Sequence, residues 1–331
     1  MAQSSLYPLR FEPIYQYRLW GGRRLADWLK PPLPGDGPIG EAWLLSDRDD
    51  HASRVAAGPL KGTTINQLME RSREEILGKF APRFERFPLL LKFLDVRRML
   101  SVQVHPPDSK VDLIPKGDTG KTEAWLVLEA EPASRVYAGL KPGTSAADLR
   151  ALSEATVDDH LASFSPRRGQ GIFIPAGTVH AMGDGVVIFE VQENSDVTFR
   201  LYDWNHIDEK TGQPRPLQIE PALACVDFAQ GAVEPVTPVV ETAQSTVRER
   251  LFDCAHFRLW RLQSTAPFTV GEADAPRVLV CIEGSGNVEH EGADVPLEKG
   301  AVVLLPATLG ACRFRPQGAV TLLEIGIPDA P

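Results

Sequence analysis

Most of the chain's apolar positions follow the period of a strand. Pro88-Leu-Leu-Leu-Lys-Phe-Leu94 is a compact apolar run, too short for a helix of ordinary length, with Lys92 set in its middle. In Leu100-Ser-Val-Gln-Val-His105 the alternation puts Ser101, Gln103 and His105 on one face and Val102 and Val104 on the other. Gly120-Lys-Thr-Glu-Ala-Trp enters a further strand on which Lys121 and Glu123 share a face. Glu190 and Gln192 are in phase in Gly185-Val-Val-Ile-Phe-Glu-Val-Gln, and Thr198 and Arg200 are in phase in the segment that follows. Between Gly169 and His180 the run Ile172 to Ile174 is closed by Pro175 and Gly177. Proline cannot donate into a sheet ladder and glycine tolerates positive φ, so a tight turn there presents His180 as the next strand begins.

Helical periodicity is rarer. Residues 63–80 carry apolar side chains at Ile65, Leu68, Met69, Ile76 and Leu77 behind a threonine N-cap, which predicts an amphipathic helix. Residues 145–164 predict one or two helices capped by Ser145, with His160 on their surface, and 216–228 a short one. Trp20 to Trp28 reads as a turn entering a short helix. The Pro-, Val-, Thr- and Glu-rich residues 231–247 read as a linker or an extended crossing. Beyond them short strands recur to the end, at His256–Leu262, Arg277–Ile282, Gly300–Pro306 and Val320–Ile325, as in a β-sandwich or barrel. Laying Gly300 on Gly169 puts Pro306 on Pro175, Thr308 on Gly177 and Ala311 on His180. The second copy keeps the strand and the proline but has no histidine.

The spacing Gly-x5-Pro-x-Gly-x2-His resembles the second motif of the cupin family, whose barrels bind a metal in their interior. The resemblance implies a mainly β chain of two cupin-like barrels (jelly rolls), with a few helices inserted around the first. The expected division is a catalytic unit over residues 1–240 and a second, metal-free unit over 241–331.

Composition narrows the function classes. A chain of 331 residues, 43% hydrophobic and 24% charged, has room for two such units. The net charge of −9, with no basic cluster, argues against nucleic-acid or anionic-membrane partners. No basic start with an apolar core resembles a signal peptide, and no run is long enough to cross a bilayer, so the expected location is the cytoplasm. A monomer is expected, though no residue pattern argues for it. The four cysteines, Cys225, Cys254, Cys281 and Cys312, lie far apart without a Cys-x-x-Cys and read as buried free thiols.

Gln103, His105, Glu123 and His180 come from three separate stretches. Two imidazoles and a carboxylate are common zinc ligands, an amide oxygen a rarer fourth, and iron or manganese fits two histidines and a carboxylate almost as well. Each residue also has a plainer reading. A lysine among leucines, as Lys92 is, usually carries its amine out to solvent, Lys121-x-Glu123 alone is a solvated edge, and a strand arginine such as Arg200 is by default a surface charge.

Five blocks in one order change that weighting: Phe-Pro-Leu-Leu-Leu-Lys-Phe-Leu-Asp, Leu-Ser-Val-Gln-Val-His-Pro, Gly-Lys-Thr-Glu-Ala-Trp, Ile-Pro-Ala-Gly-Thr-Val-His-Ala and Glu-Asn-Ser-Asp-Val-Thr-Phe-Arg-Leu-Tyr-Asp. Together they resemble the type I mannose-6-phosphate isomerase family in its short bacterial form, from about Trp20 to Asp203. The resemblance implies a zinc-dependent aldose–ketose isomerase of carbohydrate metabolism, with one zinc per chain and a sugar phosphate as substrate. It implies Gln103, His105, Glu123 and His180 as zinc ligands and Arg200 as an active-site residue. Lys121 is a candidate for proton transfer, its pKa lowered by a neighbouring cation, and Glu190, ten residues before Arg200, is the other. Ser101 and Lys92 are expected to join Arg200 in a positive patch for the phosphate. An iron-dependent oxygenase and a non-catalytic sugar-phosphate sensor are the alternatives. Pro107 and Trp-Asn-His206 depart from the family pattern, at positions expected on the rim.

Overall fold

The computed structural model describes residues 6–291 and 293–329. Its strands form two pairs of facing antiparallel sheets and one short hairpin. In the first pair, a six-stranded sheet runs in the order Ile14–Gly22, Ile39–Leu45, Leu89–Val96, Val186–Glu193, Glu123–Ala130, Gly171–Ile174. It faces a five-stranded sheet ordered Phe199–Tyr202, Val102–Val104, His180–Gly183, Arg135–Leu140, Leu161–Phe164. The second pair consists of a seven-stranded sheet, running from Leu9–Arg10 and Val302–Leu305 at one edge to Val239–Ala243 at the other, and a four-stranded sheet built from Phe268–Val270, Cys312–Pro316, Ser285–His290 and Ala293–Glu298. The mainly β expectation is met.

Alternation explains the layering. In Leu89–Val96, Leu91 and Phe93 point to one side, where they join Leu126, Phe189 and Val191 in a core shared with Leu259, Val278, Leu323 and Ile325 of the seven-stranded sheet. Lys92 and Leu94 point to the other side, into the space between the first two sheets. A period of two thus turns one apolar run into a packing face and a cavity wall. A separate core around Trp260, Leu279, Val288, Leu297 and Phe314 packs the second pair together.

The helix over Ile65–Leu77 starts from a capping box between Thr64 and Gln67 and buries Ile65, Leu68, Met69, Ile76 and Leu77. The helix over Ile219–Cys225 lies within its expected span. Two segments differ from the sequence reading. Leu161–Phe164, expected as helix, is a strand, because the neighbouring Arg135–Leu140 offers its backbone groups there. Residues 231–247 are not a free linker: Val236 bridges to Gly171, and Val239–Ala243 pairs with Thr246–Asp253. The expected division between residues 240 and 241 is crossed by that same edge strand and by Leu9–Arg10, which pairs with Val303 and Leu304.

Candidate metal centre and its cavity

The five-stranded sheet brings two of the proposed ligands side by side. Register places His180 opposite Gln103, and Arg200 opposite Gln103 on its other flank. Glu123 comes from the six-stranded sheet, paired with Ile174 just ahead of the Pro175 turn. That turn works as its sequence suggests. Gly177 adopts φ 89°, and its N–H donates to the His105 carbonyl at 2.9 Å. The loop carrying one histidine is thereby fastened to the residue bearing the other.

His105, Glu123 and His180 are buried, and one ligand atom of each lies within 4.8 Å of the other two. His105 Nδ1 is 2.8 Å from the Val197 carbonyl, and His180 Nδ1 is 2.9 Å from the Thr178 carbonyl. Each Nδ1–H therefore donates to a backbone oxygen, which leaves both Nε2 lone pairs facing inward. They meet Glu123 at 3.4 Å on separate carboxylate oxygens. Two neutral imidazole nitrogens and a carboxylate converging in a buried place are a donor set that fits a divalent metal, and the Lys121 ammonium also faces two of these acceptors. Burial foremost, and then the Lys121 charge, pushes the His105 imidazole down to about 3 despite Glu123, and burial lowers His180 as well. Both rings are thus neutral ligands at neutral pH.

Gln103 lies 3.2 Å from His180 Nε2 through its amide nitrogen, while its oxygen accepts from the Ser101 hydroxyl at 3.0 Å. Turning the amide over presents the oxygen to a metal, and the hydroxyl then accepts where it had donated. Ser101 is buried behind Gln103, where its hydroxyl orients the Gln103 amide.

The cavity in front of these ligands has a volume of about 350 Å³. Five cationic side chains reach its wall, Arg18, Lys92, Lys121, Arg200 and Arg215, against four carboxylates, Glu41, Glu123, Glu190 and Asp196. Lys121 Nζ is 2.8 Å from Glu123 Oε2 and 3.0 Å from His105 Nε2. Burial alone lowers an ammonium's pKa, but here Glu123 and Glu190 outweigh it and hold Lys121 above the usual lysine value. Lys92, far from carrying its amine to solvent, is buried, 3.2 Å from Glu190 Oε1 and 5.2 Å from the Trp43 ring centre. Trp125 Nε1 donates to Glu190 Oε2 at 3.1 Å. Burial and then the Glu123 charge raise the Glu190 carboxyl, with Lys92 and Lys121 opposing.

Arg18 and Glu41 were not singled out from sequence. Arg18 donates to both Glu41 oxygens, at 2.8 and 3.1 Å, and Trp43 Nε1 donates to Glu41 at 2.7 Å. Burial works to raise the Glu41 carboxyl, yet Arg18 and Lys92 bring it down to about 2. The signal was the alternation Gln16, Arg18, Trp20 ahead of the glycines, obscured by Tyr17 and Leu19 between them. Arg215 is committed to Asp203 through two hydrogen bonds. Arg200 differs: among the described residues no carboxylate lies within 4 Å of its guanidinium, and its buried Nε has no partner. No helix among the described residues is long and apolar enough to cross a membrane.

Comparisons with known proteins point to one family. The model of the phosphomannose isomerase type I catalytic domain matches residues 9–136. The mannose-6-phosphate isomerase ManA of Bacillus subtilis is 32% identical over 306 residues, 92% of this chain and 94% of the relative. A mannose-6-phosphate isomerase of Streptococcus mutans is 31% identical over 93% of this chain and 95% of the relative. Among solved structures, the mannose 6-phosphate isomerase from Bacillus subtilis superposes with a TM-score of 0.85 at 27% identity, covering 96% of this chain and 99% of that one. Identity at this level along nearly the whole length, with the shared fold, makes the chain a member of the type I phosphomannose isomerase family.

Proposed function

We propose that the protein interconverts mannose 6-phosphate and fructose 6-phosphate with one zinc ion held by Gln103, His105, Glu123 and His180. The observation that carries the reading is the convergence of His105, Glu123 and His180 within 4.8 Å, behind a cavity that Gln103 and Glu123 help to line and whose cations outnumber its carboxylates. A divalent cation there adds to that surplus, which suits a dianionic phosphate ester. The names of the relatives point to the same substrate pair. Arg200, the guanidinium with no carboxylate partner, is the group free to grip the phosphate or an oxyanion of the sugar.

Zinc supplies a Lewis-acid contact to sugar oxygens without redox change. The remaining work is proton transfer. Going from aldose to ketose, C2 loses a proton and C1 gains one, while O1 gains a proton and O2 gives one up. In this reading Glu190, with its carboxyl raised by burial, takes the carbon proton and returns it to the neighbouring carbon. Lys121, kept as an ammonium by Glu123 and Glu190, is the proton donor to oxygen. Lys92 lines the cavity, as a phosphate contact must, and also pairs with Glu190. Cytoplasmic location and a monomeric state accompany the proposal.

The test is a coupled assay with mannose 6-phosphate on protein stripped by chelator and then resupplied with zinc. Turnover that disappears on stripping and returns with zinc is the expected outcome. Oxygen consumption with iron, or ligand binding without turnover, would replace the isomerase by an oxygenase or a sensor.

A further inference from the structure

We infer that His256 is a positioning residue for Lys121, reaching from the seven-stranded sheet to clamp the backbone on both sides of that lysine. The inference rests on the proposed function in so far as Lys121 serves in proton transfer. His256 sits in the turn between the strands Thr246–Asp253 and Arg258–Ser264, closed by a hydrogen bond from the Cys254 N–H to the Phe257 carbonyl at 3.1 Å. It is not among the residues lining the cavity.

Its reach is short and specific. His256 Nδ1 is 3.2 Å from Glu193 Oε1, and the other oxygen of Glu193 accepts the Thr122 N–H at 2.7 Å. A second carboxylate, Asp108, lies within 4.8 Å of these groups and accepts the Gly120 N–H at 2.7 Å. The amides of residues 120 and 122, either side of Lys121, are thus each held by a carboxylate, and the Lys121 amide itself donates to the Pro106 carbonyl at 3.0 Å. The segment has little slack: a Cβ on Gly120 would come within 2.5 Å of the Asp108 nitrogen.

Two carboxylates gathered so closely repel one another unless a cation stands between them. His256 bonds Glu193 directly and lies within 4.8 Å of the exposed Asp108, and both carboxylates favour its charged form, Glu193 first. The trio needs no ion of its own, since one oxygen of each carboxylate is engaged by a backbone amide and His256 Nδ1 by Glu193. The consequence falls on Lys121, whose ammonium touches Glu123 at 2.8 Å and His105 at 3.0 Å. A displacement of about 1 Å at a proton-transferring group costs up to about a hundredfold in rate. The second pair of sheets, which lacks the histidine motif, thereby contributes to the chemistry of the first.

The experiment compares the zinc-loaded full-length protein with His256→Ala, His256→Gln and His256→Lys. Hydrogen exchange is followed at the amides of Gly120 and Thr122, alongside isomerase kinetics and metal content. The expected result for His256→Ala and His256→Gln is exchange at those two amides faster by about tenfold or more, with Leu89–Val96 unchanged, and kcat lower by about tenfold at a KM within about twofold. His256→Lys restores the cation and most of both. Unchanged exchange at Gly120 and Thr122, a raised KM at constant kcat, or loss of a second equivalent of metal in His256→Ala each overturns the clamp. A wild-type protein that does not isomerise mannose 6-phosphate removes the proposed function instead, and the exchange measurement still decides the clamp.

Discussion

His105 links the metal centre to the stability of the metal-free protein. In an unfolded chain its imidazole takes a proton near 6.5, whereas in the fold, buried first of all and facing Lys121, it does so only at about 3. A group with a depressed folded pKa contributes stability that is present above the unfolded value and is lost as pH falls below it. Lowering the pH from 6.5 to 5 therefore removes about 2 kcal/mol through this residue. Glu190 has the opposite sign, because its raised carboxyl favours the folded state as pH falls. Chelator-treated wild type and His105→Gln, unfolded in urea at pH 7.5 and pH 5, separate the two effects: the wild type should lose about 2 kcal/mol more than the variant. Equal losses would refute the assignment. At this scale the residues that converge in the candidate metal centre could be singled out, because each lies on an alternating strand face or directly after a turn signal. Arg18 and Glu41 were not, because the feature that distinguishes them is an ion pair between neighbouring strands, and local pattern carries no information about pairing. The reading of Lys92 illustrates the same limit. An amine among leucines usually reaches solvent, and only the partner strand, which places Glu190 opposite it, reverses that preference.

Among the elements, the turn Pro175–Thr178 carries the most consequence, and its glycine can be tested against another of the same conformation. Gly177 has φ 89° and its would-be Cβ lies 3.1 Å from the Cys225 carbonyl, while Gly143 has φ 87° with nothing within 4 Å. Alanine at either position pays the backbone strain of positive φ, about 1 kcal/mol or more. At Gly177 it must also displace the backbone of Cys225, and it disturbs the hydrogen bond to the His105 carbonyl. Gly177→Ala should therefore cost more stability than Gly143→Ala in urea titration, and only Gly177→Ala should weaken zinc binding in a competition with a chromophoric chelator. Equal costs and equal affinities would mean that the turn acts only through its own conformation. Strong turn residues and a period of two made most strands and this turn readable. The strand at Leu161–Phe164 and the edge strand at Val239–Ala243 escaped because their conformation is set by a neighbouring strand and not by their own pattern.

For the whole molecule, the expected separation into residues 1–240 and 241–331 meets a core that lies across it. Leu91, Phe93, Phe189 and Val191 on one side and Leu259, Leu323 and Ile325 on the other belong to one buried cluster, and Leu9–Arg10 completes a sheet otherwise made from the last hundred residues. Phe93 is fully buried, with its ring 5.6 Å from Trp28 and 5.9 Å from Phe189. The sequence repeat could reveal two similar units but not the surface they share, since the apolar residues of that surface look the same whether they face a helix, a ligand or another sheet. Two units joined through so large a core should unfold together. Pulse-labelled hydrogen exchange across a urea series, read in peptides from Glu123–Ala130 and Arg277–Glu283, should give coincident midpoints in the wild type. Phe93→Ala should lower both midpoints together, by a stability loss of about 3–5 kcal/mol, because the cavity it leaves lies between the two sheets. If the Glu123–Ala130 peptide melts early while Arg277–Glu283 keeps its wild-type midpoint, the two pairs of sheets are independent folding units, and the clamp of His256 on the Lys121 segment would then act between separately stable bodies.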